Sequence, residues 1–185
     1  LFYICAFTIA FGFSTGSQLI MARRNGERNY KEVGPVMIQG VFFLLALAAV
    51  MFTLYRLFAG DIMRGLISSD TILSATEEIL DWRVFGFFFS FVNVMCRALF
   101  IGITRTKVLT LNAIVMALTN VLLDYLLIFG HWGFPELGIK GAAIASVMAE
   151  AVSIVFYMIY TRMTVDIKKY ALNQFRSFDV KLLRH

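Results

Sequence analysis

The chain has 185 residues, of which 59% are hydrophobic and only 16% are charged, and its formal net charge is +5. A soluble domain of this length normally carries about 25% charged residues, whereas the mean hydropathy of this chain is +0.77. The composition therefore argues against a soluble enzyme and indicates a protein embedded in a membrane.

Five apolar blocks follow one another along the chain, and charge is nearly absent from each. A helix rises about 1.5 Å per residue, so about 20 apolar residues cross roughly 30 Å of hydrocarbon. The first block has no basic residue ahead of it and runs directly into a basic loop, unlike a signal peptide. We therefore predict five transmembrane helices, at about residues 1–22, 36–58, 84–103, 108–130 and 141–161.

The basic residues of the connecting segments predict the topology. Twelve lie in the first loop, the third loop and the tail, against three on the opposite side. Basic residues are retained on the cytoplasmic side of a membrane. We therefore place loops 23–34 and 104–107 and the tail 162–185 in the cytoplasm of a multi-pass protein of the plasma membrane. The positive charge then needs no nucleic-acid partner to explain it.

The second loop mixes apolar and acidic residues at roughly helical spacing, from Asp61 to Asp81. The run at residues 69–71 has the side chains that cap a helix start. We expect a short amphipathic helix here, at the outer surface, leading into the third span.

Polar residues within two neighbouring spans are the candidates for function. Asp124 lies about 9 Å below the outer end of its span, and Asn120 is one turn away on the same face. On the following helix, Ser146 lies at about 7 to 8 Å depth, and Glu150 is one turn below it. An ionisable group within a span is costly and marks function by default. We expect these four side chains to line one polar pocket open to the outside.

The chemistry of such a pocket suits ion coupling. A carboxylate in a low-dielectric site can take up and release a proton, and with amide and hydroxyl oxygens nearby it can instead bind Na⁺, here at Asp124 and Asn120. The alternative is a permanently protonated carboxyl that hydrogen-bonds two helices together. We predict no resident metal or cofactor, since Cys5, Cys96 and the two histidines have no metal-like spacing.

Motifs for ATP binding or hydrolysis are missing from the sequence: it has no nucleotide-binding Gly-rich loop, no nucleophile elbow and no HExxH. The pair Glu77–Glu78 lies in the second loop, and adjacent residues point apart on a helix. We therefore predict that the protein is not an enzyme.

Several stretches in order resemble the multidrug and toxic compound extrusion (MATE) family of secondary transporters. They are STGSQ at 14–18, ARRNGE at 22–27, TNVLLD at 119–124 and GIKGAAIAS at 138–146. The resemblance implies a twelve-helix fold of two six-helix lobes, of which this chain would be helices two to six of the N-terminal lobe. The tail 162–185 would then be a linker towards a C-terminal lobe, and both ends of the chain would be cut.

The resemblance also implies roles for residues. Asn120 and Asp124 match the Asn-x-x-x-Asp element of the fifth family helix, which is implicated in H⁺ or Na⁺ coupling, and Ser146 stands where relatives often have Thr. Tyr125 stands where many relatives have proline, which would permit a bend. The acidic residue of the first family helix lies outside the chain.

The leading hypothesis is an antiporter that exports organic, often cationic, small molecules in exchange for H⁺ or Na⁺ by alternating access. Its partners would be the substrate, the lipid bilayer and the missing C-terminal lobe. One alternative is a lipid-linked saccharide flippase of the wider superfamily, for which Arg97 is the only basic candidate within a span. Another is a non-transporting membrane scaffold, in which the polar residues are structural.

Overall fold

A computed structural model describes residues 2–66, 70–133 and 135–172, and these residues form an all-α bundle. Short 3₁₀ turns lie at Tyr30–Glu32 and His131–Gly133. The five helices are α1 (Phe2–Gly26), α2 (Val33–Leu66), α3 (Asp70–Gly102), α4 (Lys107–Phe129) and α5 (Gly138–Thr164).

Within the described ranges, four helical segments are long and apolar enough to cross a membrane, namely Tyr30–Phe58, Ile79–Gly102, Lys107–Phe129 and Gly138–Thr164. They correspond to the predicted second to fifth spans. The predicted first span coincides with α1, whose 25 residues would reach about 37 Å. The polar run from Ser14 to Gln18 lowers the hydropathy of α1 relative to the other four segments.

The C-terminal end of α2 and the N-terminal end of α3 differ from the sequence prediction. No separate amphipathic helix lies between the second and third spans: among the described residues, α2 continues to Leu66 and α3 already begins at Asp70. The reason is that no proline interrupts either segment, so each span continues as one helix beyond the hydrocarbon. Residues 67–69 lie outside the described residues, and with them most of the predicted cap at 69–71.

α3 lies at the centre of the bundle, since it packs against α1, α2 and α5, whereas α4 packs along α5 and barely meets α3. Two close approaches show how tightly α3 is held. A Cβ atom on Gly40 of α2 would lie 2.3 Å from the Met95 terminal methyl, and one on Gly102 of α3 would lie 2.9 Å from Met21 Cβ of α1. The largest fully buried side chains include Phe87, Phe91, Phe100, Met21, Leu44 and Met95.

The three basic segments meet at one end of the bundle. The Gly34 amide donates to the Tyr170 carbonyl at 2.9 Å, and the Tyr30 and Tyr170 rings meet edge to face with centroids 5.6 Å apart. The Arg105 guanidinium, in the α3–α4 loop, donates to the Thr164 carbonyl at the end of α5. At the end of α1, the Arg23 hydrogen bond to Glu27 lowers the pKa of that carboxyl. The described parts of the three basic segments therefore lie at the same end of the bundle.

Candidate functional site

Asn120 and Asp124 lie one turn apart on α4 and are both half-buried. They flank the stripe by which α4 contacts the bundle, whose buried members are Val108, Asn112, Leu126 and Leu127. The Oδ1 atom of Asp124 is shielded from solvent and has no hydrogen-bond partner among the described residues. A buried carboxylate oxygen without a partner is energetically costly, and an ionisable group within a membrane helix is a candidate for function.

The C-terminal end of α4 and the N-terminal end of α5 are held in contact at Gly141. A Cβ atom there would lie only 2.6 Å from the Leu127 carbonyl oxygen, so only glycine permits the approach. The same carbonyl accepts a hydrogen bond from the Leu137 amide at 2.9 Å. Counting down from this contact, Asp124 is about 4.5 Å deeper on α4 and Ser146 is about 7.5 Å deeper on α5. Asp124 and the half-buried Ser146 therefore lie at similar depth on adjacent helices.

Glu150, the fourth predicted site residue, makes its side-chain contacts with α3. Its Oε2 atom lies 3.3 Å from the position that a Cβ on Gly86 would take, and Ser90 hydrogen-bonds with its side chain. No hydrogen bond between described residues joins Glu150 to Asp124 or Asn120. Among the described residues, the structure thus places the Glu150 side chain against α3, while Asn120 and Asp124 share one side of α4.

A buried polar junction, which the sequence reasoning missed, joins α3, α4 and α5. Ser153 of α5 is 0% exposed, and its Oγ lies 2.7 Å from Asn93 Oδ1 and 2.9 Å from Asn112 Oδ1. Asn93 Nδ2 also donates to the Glu150 backbone carbonyl at 3.0 Å. A hydroxyl has one proton, so the Ser153 hydroxyl can donate to only one of the two amide oxygens. Its oxygen accepts a hydrogen bond when the other amide turns its NH₂ group towards it.

The sequence did carry a signal for this junction. On α3, Gly86, Ser90 and Asn93 are spaced by four and three residues, and on α5 Glu150 and Ser153 are three apart. Residues three and four apart share one face of a helix. Small and polar residues on one face of a membrane helix are typical of helix–helix contacts, so this pattern marks α3 and α5 as neighbours.

A separate cavity of about 520 Å³ opens at the end of the bundle where the basic segments meet. It lies between α2, α3, α5 and the segment after α5, remote from Asp124. Its wall is mainly apolar, with Cys96 of α3 and Thr161 and Arg162 of α5 as polar members; the apolar lining includes Met37, Phe42, Leu99, Phe100 and Met158.

Metal ligands do not cluster in the part of the chain that the structure describes: no group of three or more His, Cys, Asp or Glu side chains is placed to hold a metal ion. The side chains of Asp124 and Asn120 alone offer an alkali cation fewer oxygen atoms than the about six ligands that hard cations take.

Comparison with known proteins gives one consistent relationship. The family model MatE matches residues 1–126. The Probable multidrug resistance protein NorM of Synechocystis sp. is 27% identical over 161 residues, which is 87% of this chain and 35% of that protein. The NorM protein of Agrobacterium fabrum is 27% identical over 172 residues, or 92% of this chain and 37% of its own. The chain thus spans about a third of the length of these relatives.

Solved structures share the fold. An outward-facing multidrug resistance MATE family transporter of the MOP superfamily superposes with a TM-score of 0.83 at 20% identity, covering 100% of this chain and 41% of that one. An inward-facing structure of such a transporter gives a TM-score of 0.82 at 17% identity, covering 98% and 40%. The five helices, the family match over more than half of the chain and this shared fold lead to one conclusion: the chain is a multi-pass membrane protein that belongs to the MatE family.

Proposed function

We propose that this chain is part of a secondary antiporter of the plasma membrane that exports organic, often cationic, compounds in exchange for H⁺ or Na⁺ by alternating access. The observation that carries the proposal is the Asp124 carboxyl, which is held within a membrane span with one oxygen buried and unpartnered. Relatives named as probable multidrug resistance proteins support the same cargo.

Asp124 is the coupling carboxylate in this proposal. In the closed, dry bundle the carboxyl is paired with the bound ion, because a bare carboxylate in a low-dielectric interior is costly. When the cavity opens to water, the carboxylate is solvated and the ion is released. Binding of the ion and binding of the substrate are then coupled because both compete for the same desolvated site.

Asn120 and Ser146 are the proposed partners of that carboxyl. The amide oxygen of Asn120 lies one turn from Asp124, and the hydroxyl of Ser146 lies at similar depth on α5. For a proton, these groups hydrogen-bond the acid. For Na⁺, they add oxygen ligands to those of the carboxylate, with the remainder supplied by water or by the rest of the transporter.

The proposed sidedness follows from charge. Loops 23–34 and 104–107 and the tail 162–185 face the cytoplasm, since they hold most of the basic residues. Residues 173–185 of that tail lie outside the described residues. The remaining partner is the C-terminal lobe, because alternating access requires a second body that moves against this bundle.

The test is efflux of a cationic dye from cells that carry the full-length gene, comparing wild type, Asp124→Asn and Asp81→Asn at matched membrane expression. Asp81 is a matched control because it is an exposed carboxylate already paired with Arg56 at 3.1 Å. We expect Asp124→Asn to reduce efflux at least about 10-fold, which corresponds to 1.4 kcal/mol, and Asp81→Asn to leave it unchanged.

Each other result decides against part of the proposal. If Asp124→Asn pumps as well as wild type, the carboxyl is structural and the coupling assignment is wrong. If the wild type itself moves no dye, the drug-export cargo is wrong, and the flippase and scaffold hypotheses are favoured.

A further inference from the structure

A second carboxyl lies inside the bundle, on α5, where its side chain meets α3. Glu150 is near the middle of α5, and its Oε2 atom is shielded from solvent with no hydrogen-bond partner among the described residues. Asp124 is the other described carboxylate with a buried, unpartnered oxygen. Glu150 is therefore a buried titratable group that the proposed coupling at Asp124 leaves unused.

α3 is shaped to receive this carboxyl. Gly86 provides the space, because a Cβ there would lie 3.3 Å from Glu150 Oε2 and 3.4 Å from Val147 Cγ2. Ser90, one turn further along α3, hydrogen-bonds with the Glu150 side chain. An alanine at 86 would therefore press on the carboxyl and displace it slightly.

The groups around the carboxyl are few and can be named. α3 contributes Arg83, which acts on it electrostatically, together with Ser90 and Asn93. α4 contributes Asn112, through Ser153 of α5. Arg83 favours the charged form of the carboxyl, but it is only half-buried, so solvent weakens its effect.

The donor set fits a proton and not a metal or alkali cation. The Asn93 amide is already committed, since its Nδ2 donates to the Glu150 backbone carbonyl and its Oδ1 faces the Ser153 hydroxyl. Among the described residues, the remaining oxygen groups at the site are the carboxyl itself and the Ser90 hydroxyl that hydrogen-bonds with it, whereas a hard cation takes about six oxygen ligands.

From this geometry we infer that Glu150, seated against Gly86 and Ser90, forms a proton-binding site between α3 and α5 that is separate from Asp124. The neutral acid occupies the closed bundle, because a bare carboxylate is costly there, and the carboxyl accepts a hydrogen bond from Ser90. The inference stands independently of the proposed antiport, because it concerns the protonation of one side chain and not the cargo.

Infrared spectroscopy of the purified full-length protein in lipid tests the site directly, because the C=O stretch of a protonated carboxyl is resolved from that of a carboxylate. We expect Glu150→Gln to remove one protonated-carboxyl band at neutral pH, and Asp124→Asn to leave that band in place. Ser90→Ala should shift the frequency of the same band, since it removes the hydrogen bond to the acid.

Other outcomes overturn the inference. A Glu150→Gln spectrum that retains every protonated-carboxyl band shows that Glu150 is ionised. Loss of the wild-type band on addition of Na⁺ at constant pH shows a cation site. If Glu150→Gln does not fold, Gly86→Ala is read in its place: a shifted band supports the site, and an unshifted band contradicts it. None of these infrared measurements depends on dye efflux. A failure of the antiport proposal can therefore be distinguished from a failure of the Glu150 inference.

Discussion

α3 and α4 are nearly equal in hydropathy but differ in their place in the bundle. The segments of the two helices that could cross a membrane are almost equally apolar. Nevertheless, 56% of the α3 segment is buried inside the bundle, against 17% of the α4 segment. Lipid tails are as apolar as leucine, so hydropathy reports fitness for the bilayer and not contact with protein. What distinguishes α3 is the line of small and polar residues formed by Gly86, Ser90 and Asn93.

α4 instead presents a broad apolar face outside the bundle, with Leu118 and Val121 66% and 67% exposed. Its contact with the bundle is restricted to one stripe along α5. Asn120 and Asp124 lie beside that stripe, so the polar pair of α4 is at the margin of the packed region, whereas the polar residues of α3 are within it. Substitutions of matched type on the two helices should therefore have unequal effects.

The largest contrast should come from apolar side chains. Phe91 of α3 is fully buried, with its ring 5.6 Å from that of Phe87. Phe91→Ala should lower the free energy of unfolding by about 3 to 5 kcal/mol, since it leaves a cavity in a close-packed core. Leu118→Ala on α4 should change it by less than about 0.5 kcal/mol. Unfolding of the full-length protein in detergent measures both, and equal losses would show that α4 is as deeply packed as α3.

Asparagine allows the same comparison for polar groups. Asn93 of α3 makes hydrogen bonds of 2.7 and 3.0 Å to α5, whereas Asn120 of α4 makes none among the described residues. Asn93→Ala should cost about 1 to 3 kcal/mol, because Ser153 and the Glu150 carbonyl lose their partner. Asn120→Ala should cost less than about 0.5 kcal/mol while still impairing dye efflux. A large loss of stability at Asn120 would contradict the assignment of that residue to function.

The smallest effect should come from the exposed outer part of α3. Arg56 of α2 and Asp81 of α3 form an ion pair at 3.1 Å with side chains 53% and 49% exposed. A double-mutant cycle of Arg56→Ala and Asp81→Ala should give a coupling of about 0.2 to 1 kcal/mol, because exposed pairs are screened by solvent. In 1 M salt, where the Debye length is about 3 Å, the coupling should vanish. A coupling that persists would mean that the pair is shielded from water.

The sequence predicted the helices of the bilayer well because one physical quantity, hydropathy over about 20 residues, determines them. The predicted spans 108–130 and 141–161 lie close to α4 and α5, whose bounds are Lys107–Phe129 and Gly138–Thr164. The same quantity is silent about where a helix ends in water. We therefore predicted a separate amphipathic helix, whereas α2 continues to Leu66 and α3 begins at Asp70.

The candidate site was predicted only in part, for a related reason. Helical spacing correctly groups Asn120 with Asp124, which are both half-buried on α4. It also groups Ser146 with Glu150, but it does not say which neighbouring helix each side chain meets, and Glu150 contacts α3. That contact depends on the small size of Gly86. A glycine carries no functional group, so Gly86 is informative only together with Ser90 and Asn93 on the same face of α3.

The contact between Gly34 and Tyr170 has a consequence for biogenesis. The Gly34 amide is among the first four of α2, which have no partner within their own helix, and its acceptor is a carbonyl near the end of the described chain. A ribosome releases α2 long before residue 170, so water must solvate this amide during synthesis. The cytoplasmic edge proposed for this end of the bundle provides that water. The earlier helices can therefore insert into the membrane before the hydrogen bond between Gly34 and Tyr170 forms.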